Sequence, residues 1–203
     1  MSGDERRGPP VVVEPHGAAA VIRLARPDER NPLSTSTLNA IEEAFSQLSA
    51  DASINSVVFN GTGDVFASGA DIREVSSLTP DSARSLSARG QRLFQTIADA
   101  RTLTIAAVDG YCMGGGLDLA LACRLRVASP RAVFAHPGAR LGIITGWGGT
   151  RRLPLAVGPS VAAEMFLTGR RLNGAEAYES GLVEYLSERP LERALEIALA
   201  SSV

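Results

Sequence analysis

Two short stretches of this sequence hold residues whose types and spacing could do chemistry. The first is Asp109-Gly110-Tyr111-Cys112-Met113-Gly114-Gly115-Gly116-Leu117-Asp118-Leu119, in which consecutive glycines precede an apolar helical run. Amides in the first turn of a helix have no intrahelical acceptor, and the helix dipole adds positive potential there. Glycine lets a ligand approach that backbone closely. The second stretch is Phe66-Ala67-Ser68-Gly69-Ala70-Asp71-Ile72, a glycine-containing loop leading into a helical turn. The first suits a negatively charged oxygen. The spacing fits neither a dinucleotide fingerprint nor a P-loop, and Gly114–Gly116 could also serve only close helix–strand packing. Asp118 shares a helix face with Gly115 and is a candidate acid or base, or else a first-turn carboxylate favoured by the dipole. His136, in Phe134-Ala135-His136-Pro137-Gly138, is a second candidate because imidazole titrates near neutrality; its alternative is a structural hydrogen bond. Alternation along a strand would put His136 and Gly138 on one face.

Composition removes several classes of function. With 203 residues, 45% hydrophobic and 21% charged, the chain has the profile of a globular domain. No apolar run reaches the roughly 18 residues of a membrane span, so no membrane partner is expected. The net charge of −2 comes without a one-sign patch, which leaves nucleic-acid binding without electrostatic support. All 20 basic residues are arginine. Schiff-base, P-loop and general-base lysines are therefore excluded, and arginine becomes the cation for any phosphate. Cys112 and Cys123 lack zinc-knuckle spacing and read as small buried thiols, so no metal is expected. Reduced thiols suit the cytoplasm. Residues 1–10 are polar and read as a disordered leader; residues 11–203 read as one domain.

These segments need a scaffold. Val11–Val13 and Ala19–Leu24 read as strands around a turn at Pro15–Gly17, and Thr37–Leu48 as an amphipathic helix with Leu38, Ile41, Phe45 and Leu48 on one face. Ser56–Asn60 is a strand and Gly61–Gly69 a glycine-rich loop. Thr79-Pro80 caps a helix running to about Ala100. Thr104–Val108 is a buried strand, Gly116–Cys123 a helix, and Leu125–Ala128 and Ala132–Phe134 further strands. Asn173 with Glu176 forms a capping box, and Leu191–Leu199 is a last helix. Strands alternating with helices give an α/β fold.

Taken together, the two glycine segments resemble the signature of the crotonase (enoyl-CoA hydratase/isomerase) superfamily. Arg26-Pro27 with Asn31-Pro32-Leu33, Gly146-Trp147-Gly148-Gly149-Thr150 with Arg152-Leu153-Pro154, and Ala175-Glu176-Ala177 with Gly181-Leu182-Val183 resemble its other motifs in the same order, over about Val11 to Leu199. The resemblance implies a spiral of β-β-α units with flanking helices, the C-terminal helical segment being short or missing. It implies oxyanion donors at the Ser68 and Gly115 amides, with Ser68, Gly69, Ala70, Asp71, Ile72 and Gly114 along the CoA. Asp118 would stand where hydratases have their first catalytic glutamate, and Gly138 where they have the second. The implied activity is hydration of a trans-2-enoyl-CoA to a 3-hydroxyacyl-CoA. Because Gly138 has no side chain, isomerisation, decarboxylation or C–C cleavage is the alternative, and a non-catalytic acyl-CoA-binding protein a further one. His136 or a bound anion could supply the missing group. No cofactor is implied beyond the CoA thioester itself, and a homotrimer or hexamer is expected.

Overall fold

The computed structural model describes residues 8–200. The leader expected over residues 1–10 thus falls largely outside the described residues.

A hairpin opens the chain, β1 (Val11–His16) pairing antiparallel with β2 (Ala19–Leu24) around Gly17, whose φ of 66° suits glycine. After β3 (Pro32–Leu33), Ser34 caps α1 (Thr35–Ala50) by accepting from the Thr37 amide. β4 (Ser56–Asn60), β5 (Val65–Ala67) and β6 (Gly69–Ala70) follow, then the single turn α2 (Ile72–Val75) and the long α3 (Pro80–Asp99). Thr79 and Ser82 close a capping box at the start of α3, with proline at the first position. Next come β7 (Leu103–Val108), β8 (Tyr111–Met113), α4 (Gly115–Ala122), β9 (Leu125–Ala128) and β10 (Val133–Ala135). The chain ends through α5 (Gly149–Val157), α6 (Pro159–Thr168), β11 (Leu172–Asn173), α7 (Gly174–Glu179), β12 (Tyr185–Leu186) and α8 (Pro190–Ala200).

Strand order makes this a spiral. One sheet runs β1-β2-β4-β7-β9-β12, parallel from β2 onward, and a second runs β11-β10-β8-β5. Each turn of the spiral gives one strand to the first sheet, the next strand to the second sheet, and then a helix. β4-β5-α3, β7-β8-α4 and β9-β10-α5 are three such turns, with β2-β3-α1 ahead of them. The expected β-β-α spiral is therefore what forms. Strands buried on both faces read as continuous hydrophobic runs, as Val57-Val58-Phe59 and Ile105-Ala106-Ala107-Val108 do; all of these are fully buried.

The space between the sheets and helices is filled by Phe45, Phe59, Phe66, Phe94 and Phe134, each at most 1% exposed. Burial of a side chain of this kind contributes about 1.5–3 kcal/mol. On the other side of the large sheet, α8 lays Ala194 and Ala198 onto Val58, Ile105 and Val127, and the Ser56 hydroxyl donates to the Ala198 carbonyl at 3.1 Å. Among the described residues no helix is long and apolar enough to cross a membrane.

Three local expectations change. Gly61–Gly69 is not loop throughout, because Val65–Ala67 pairs with β8. The helix expected over Thr37–Leu48 starts and ends two residues further out. The alternation expected to align His136 with Gly138 does not occur: β10 ends at Ala135 and Pro137 starts a 3-10 turn through Leu141. Proline fixes φ and removes an amide, so it cannot continue the ladder. The capping box of Asn173 and Glu176 forms as expected.

Candidate active site

The second strands of the spiral deliver the two glycine segments to one place. Gly110 turns the chain from β7 into β8 at φ 76°, and a Cβ there would lie 1.9 Å from the Asp64 carbonyl oxygen. Only glycine lets β8 lie this close to the segment entering β5, where the Tyr111 amide donates to Asp64 O at 2.9 Å. At the far end of β8, Gly114 has φ 52° and ψ −118° and starts α4. Opposite it, Gly69 has φ 97°; a Cβ on Gly69 would stand 2.9 Å from the Met113 oxygen and 3.1 Å from the Gly115 nitrogen. The Ala70 nitrogen lies 3.4 Å from the point a Gly115 Cβ would occupy. The two backbones therefore meet with no side chain between them.

The Ser68 amide does not take part in this meeting. It donates to the Arg30 carbonyl at 3.1 Å and lies 3.4 Å from that of Asn31, so the expected donor is engaged by protein. This corrects the oxyanion assignment by one turn of loop: the amide brought against Gly115 is that of Ala70. Gly115 fits its expected position. As the first residue of α4 its amide has no intrahelical acceptor, whereas the Gly114 amide donates to Ala135 O at 2.9 Å.

A cavity of about 470 Å³ opens at this meeting point. Ser68, Gly69, Ala70, Gly114 and Gly115 form its floor, and Val75, Leu86, Ile143, Trp147 and Phe166 are among its apolar walls. Ile72 lines it while 63% exposed, as expected of a residue at the mouth. Asp71 does not line it. Its carboxylate caps α2 by accepting from the Arg73 amide, and it holds the Arg73 guanidinium at 2.7 Å, which lowers its pKa. Asp71 thus shapes the loop. Tyr111 also stays outside the cavity, with the Arg30 guanidinium 5.1 Å from its ring centre.

Asp118 requires a second correction. It is fully buried and is not among the residues that line the cavity, where a direct contact with substrate was expected. Its Oδ2 accepts from the Thr145 hydroxyl, and the nearby Trp147 amide favours its ionised form. Gly149 opens α5 directly against Oδ1; a Cβ at 149 would sit 2.1 Å from that oxygen. The carboxyl therefore ties α4 to the N-terminus of α5, where the dipole favours negative charge. Burial still dominates and pushes its pKa up to about 7.

His136 stands between Asp118 and the cavity. Its Nε2 is 3.4 Å from Asp118 Oδ1, and both atoms are buried without any hydrogen-bond partner. The ring is 3% exposed, lines the cavity and lies 5.0 Å from the Phe166 ring. Burial lowers its pKa to about 4. Sequence reasoning singled out both residues but could not pair them, because they leave different elements. Thr145 and Phe166 it missed altogether, since nothing in their local pattern marks them.

Gly138 lines the cavity but does not have a left-handed backbone. A Cβ there would stand 2.5 Å from the Ile143 carbonyl oxygen, so the local turn leaves no room for a side chain. Cys112 and Cys123 are free and buried as expected, and burial pushes Cys123 up to about 12. Glu164 and Glu176 do not line the cavity, and both pair with Arg170.

Comparison with known proteins gives the family and the fold. The family model for enoyl-CoA hydratase/isomerase matches residues 14–198. The Mycobacterium tuberculosis protein named "Probable enoyl-CoA hydratase echA8" is 38% identical over 173 residues, covering 85% of this chain and 66% of that protein. A crotonyl-CoA hydratase of Syntrophomonas wolfei is 37% identical over 174 residues, covering 85% of this chain and 67% of its own length. The chain thus spans about two thirds of the length of these relatives. Among solved structures, Pseudomonas aeruginosa DspI superposes with a TM-score of 0.90 at 34% identity, covering 94% of this chain and 79% of that one. An enoyl-CoA hydratase of Bacillus anthracis gives 0.89 at 32% identity, covering 94% and 76%.

Proposed function

This chain belongs to the enoyl-CoA hydratase/isomerase family, and on that premise we propose that it binds an acyl-CoA thioester and stabilises its enolate, with hydration of a trans-2-enoyl-CoA as the reaction. The observation that carries this reading is the meeting of the Ala70 and Gly115 backbones at the floor of an apolar cavity. The Ala70 and Gly115 amides are assigned as the pair that would hold a thioester carbonyl oxygen as it gains negative charge. A preorganised donor of this kind is worth about 3–4 kcal/mol of barrier in other enzymes. The cavity walls suit an acyl chain, and Ile72 at the mouth suits the pantetheine arm.

A second reading has one observation in its favour. The position of the second hydratase carboxylate is Gly138, and its surroundings exclude a side chain. Isomerisation, decarboxylation or C–C cleavage of an acyl-CoA uses the same enolate. Incubation with a panel of acyl-CoAs followed by mass spectrometry and chromatography separates these reactions. Crotonyl-CoA gaining one water supports hydration; unchanged mass with a new retention time means isomerisation; loss of carbon dioxide means decarboxylation. A folded protein that neither binds nor alters any acyl-CoA would remove the proposal.

The remaining parts of the reading are a homotrimer or hexamer, a cytoplasmic location suited to free thiols, and turnover that needs no metal or nucleotide cofactor. Turnover is expected to survive chelation.

A further inference from the structure

The reaction proposed above needs a group that moves a proton at the carbon next to the thioester. Among the described residues that line the cavity, His136 is the only one with an ionisable side chain. Asp118 lies behind it, and Gly138 offers nothing.

Three observations define His136. Its Nε2 faces Asp118 Oδ1 at 3.4 Å, and neither atom has a hydrogen-bond partner. A buried polar atom without a partner costs about 1–3 kcal/mol, and a proton placed between these two would satisfy both. The other ring nitrogen, Nδ1, is absent from the fully buried unpartnered atoms and makes no protein hydrogen bond among the described residues, so it is the edge that reaches the cavity. The Asp118 carboxyl is in turn held at Oδ2 by the Thr145 hydroxyl, with Gly149 packed against Oδ1.

We propose that His136 and Asp118 form a proton-transfer dyad, with His136 Nδ1 as the base and acid that touches the substrate and Asp118 as the positioning residue that exchanges a proton with Nε2. This inference rests on the acyl-CoA reading. With Asp118 ionised, Nε2–H donates to it and Nδ1 presents a bare lone pair to the cavity. Nδ1 then takes the α-proton: the C–H bond breaks, an N–H bond forms, and the electron pair moves onto the thioester oxygen at the Ala70 and Gly115 amides. The Nε2 proton passes to Asp118, leaving a neutral imidazole beside a neutral carboxyl. The negative charge thereby passes from the Asp118 carboxylate to the thioester oxygen, where the Ala70 and Gly115 amides would stabilise it. Return of the proton runs the same steps backward. Cys112 and Arg152 are the other titratable groups that act on Asp118: Arg152 favours its ionised form, and Cys112 stays a thiol, its ionisation disfavoured by burial and by Asp118.

Butyryl-CoA in deuterated water tests this without knowledge of the natural substrate, because α-proton exchange needs only the amides and a base. Proton NMR of the wild type should show loss of the α-signal. His136→Gln keeps a hydrogen-bonding side chain that cannot take the proton, and should slow exchange by about 100-fold or more while butyryl-CoA affinity stays within a few-fold. Asp118→Asn should also slow exchange at unchanged affinity and flatten its pH dependence between pH 5 and 8; a purely structural role for Asp118 would leave that pH profile in place. Exchange at the wild-type rate in His136→Gln would overturn the dyad, as would a wild type that binds butyryl-CoA but exchanges nothing. Should His136→Gln not fold, Asp118→Asn decides: an unchanged rate and pH profile overturns the dyad. A wild type that does not bind butyryl-CoA at all overturns the acyl-CoA reading instead.

Discussion

Asp118 is a fully buried acid whose ordinary pKa of 3.8 is raised to about 7, chiefly by burial and against the Thr145 hydroxyl and the Trp147 amide. A raised acid pKa means that the fold favours the protonated form. Its contribution to stability is complete below the unfolded value, about 3.9, declines as the pH climbs to 7, and is absent above that. His136 runs the other way: burial lowers it from 6.5 to about 4, so its contribution is present above 6.5 and is lost as the pH falls toward 4. Asparagine at 118 keeps the volume, can accept from Thr145, and can donate to His136. The melting temperature of Asp118→Asn relative to wild type is therefore expected to rise steadily from pH 4.5 to pH 8. A difference that stays flat or falls over that range would mean that Asp118 is not held protonated by the fold. The sequence made Asp118 and His136 visible as chemical groups, since a carboxylate after three glycines and a lone imidazole stand out in any pattern. It could not show that one lies behind the other, because that relation depends on where β10 ends against α4. Nor could it show that Ser68 is engaged by Arg30 and Asn31 while Ala70 faces Gly115; the left-handed Gly69 between them reverses the direction of the amides.

Elements follow the same division. Helices α1, α3, α4, α7 and α8 were legible because apolar spacing and cap residues are local signals. β5 was not, since Val65-Phe66-Ala67 is short and sits among glycines, and its pairing with β8 is a tertiary fact. The wall made by Trp147 belongs to the same class. The indole lies edge-on to Phe94, with centroids 5.7 Å apart, and presses against α3 and α4 at once. A Cβ on Gly90 would stand 2.3 Å from its Cδ1, and one on Gly115 would stand 2.4 Å from its Cζ3. Both helices thus carry glycine where the ring seats. Gly90→Ala is expected to cost about 1–3 kcal/mol in chemical denaturation, because the rigid ring has no free space into which to yield. It should also weaken acyl-CoA binding, since Trp147 lines the cavity. Wild-type stability and affinity in this variant would show that the ring can move without consequence.

At the scale of the whole molecule, composition sets how an anionic cofactor arm can be held. The chain has no lysine, and its 20 basic residues, all arginine, are nearly balanced by 22 acidic ones. Many arginines have structural partners: Arg23 holds Glu14, Arg126 holds Glu184, and Arg131 holds Asp109. The large pairings of the fold therefore use the same residue type that would meet the phosphates of CoA in the proposed reading. Guanidinium suits phosphate through paired, planar hydrogen bonds. Such contacts at a cavity mouth are screened by salt over roughly 10 Å at 0.1 M ionic strength. Affinity for butyryl-CoA is accordingly expected to fall as salt rises, while affinity for the matching butyryl-pantetheine thioester, which lacks the phosphates, should hardly change. An arginine-directed dicarbonyl reagent should abolish butyryl-CoA binding, and bound CoA should slow that modification. Amine-directed acetylation should leave binding intact, because the side chains offer it no target. If both thioesters showed the same salt dependence, the phosphates would not be bound by charge, and the affinity would come from the apolar cavity and the Ala70 and Gly115 amides alone.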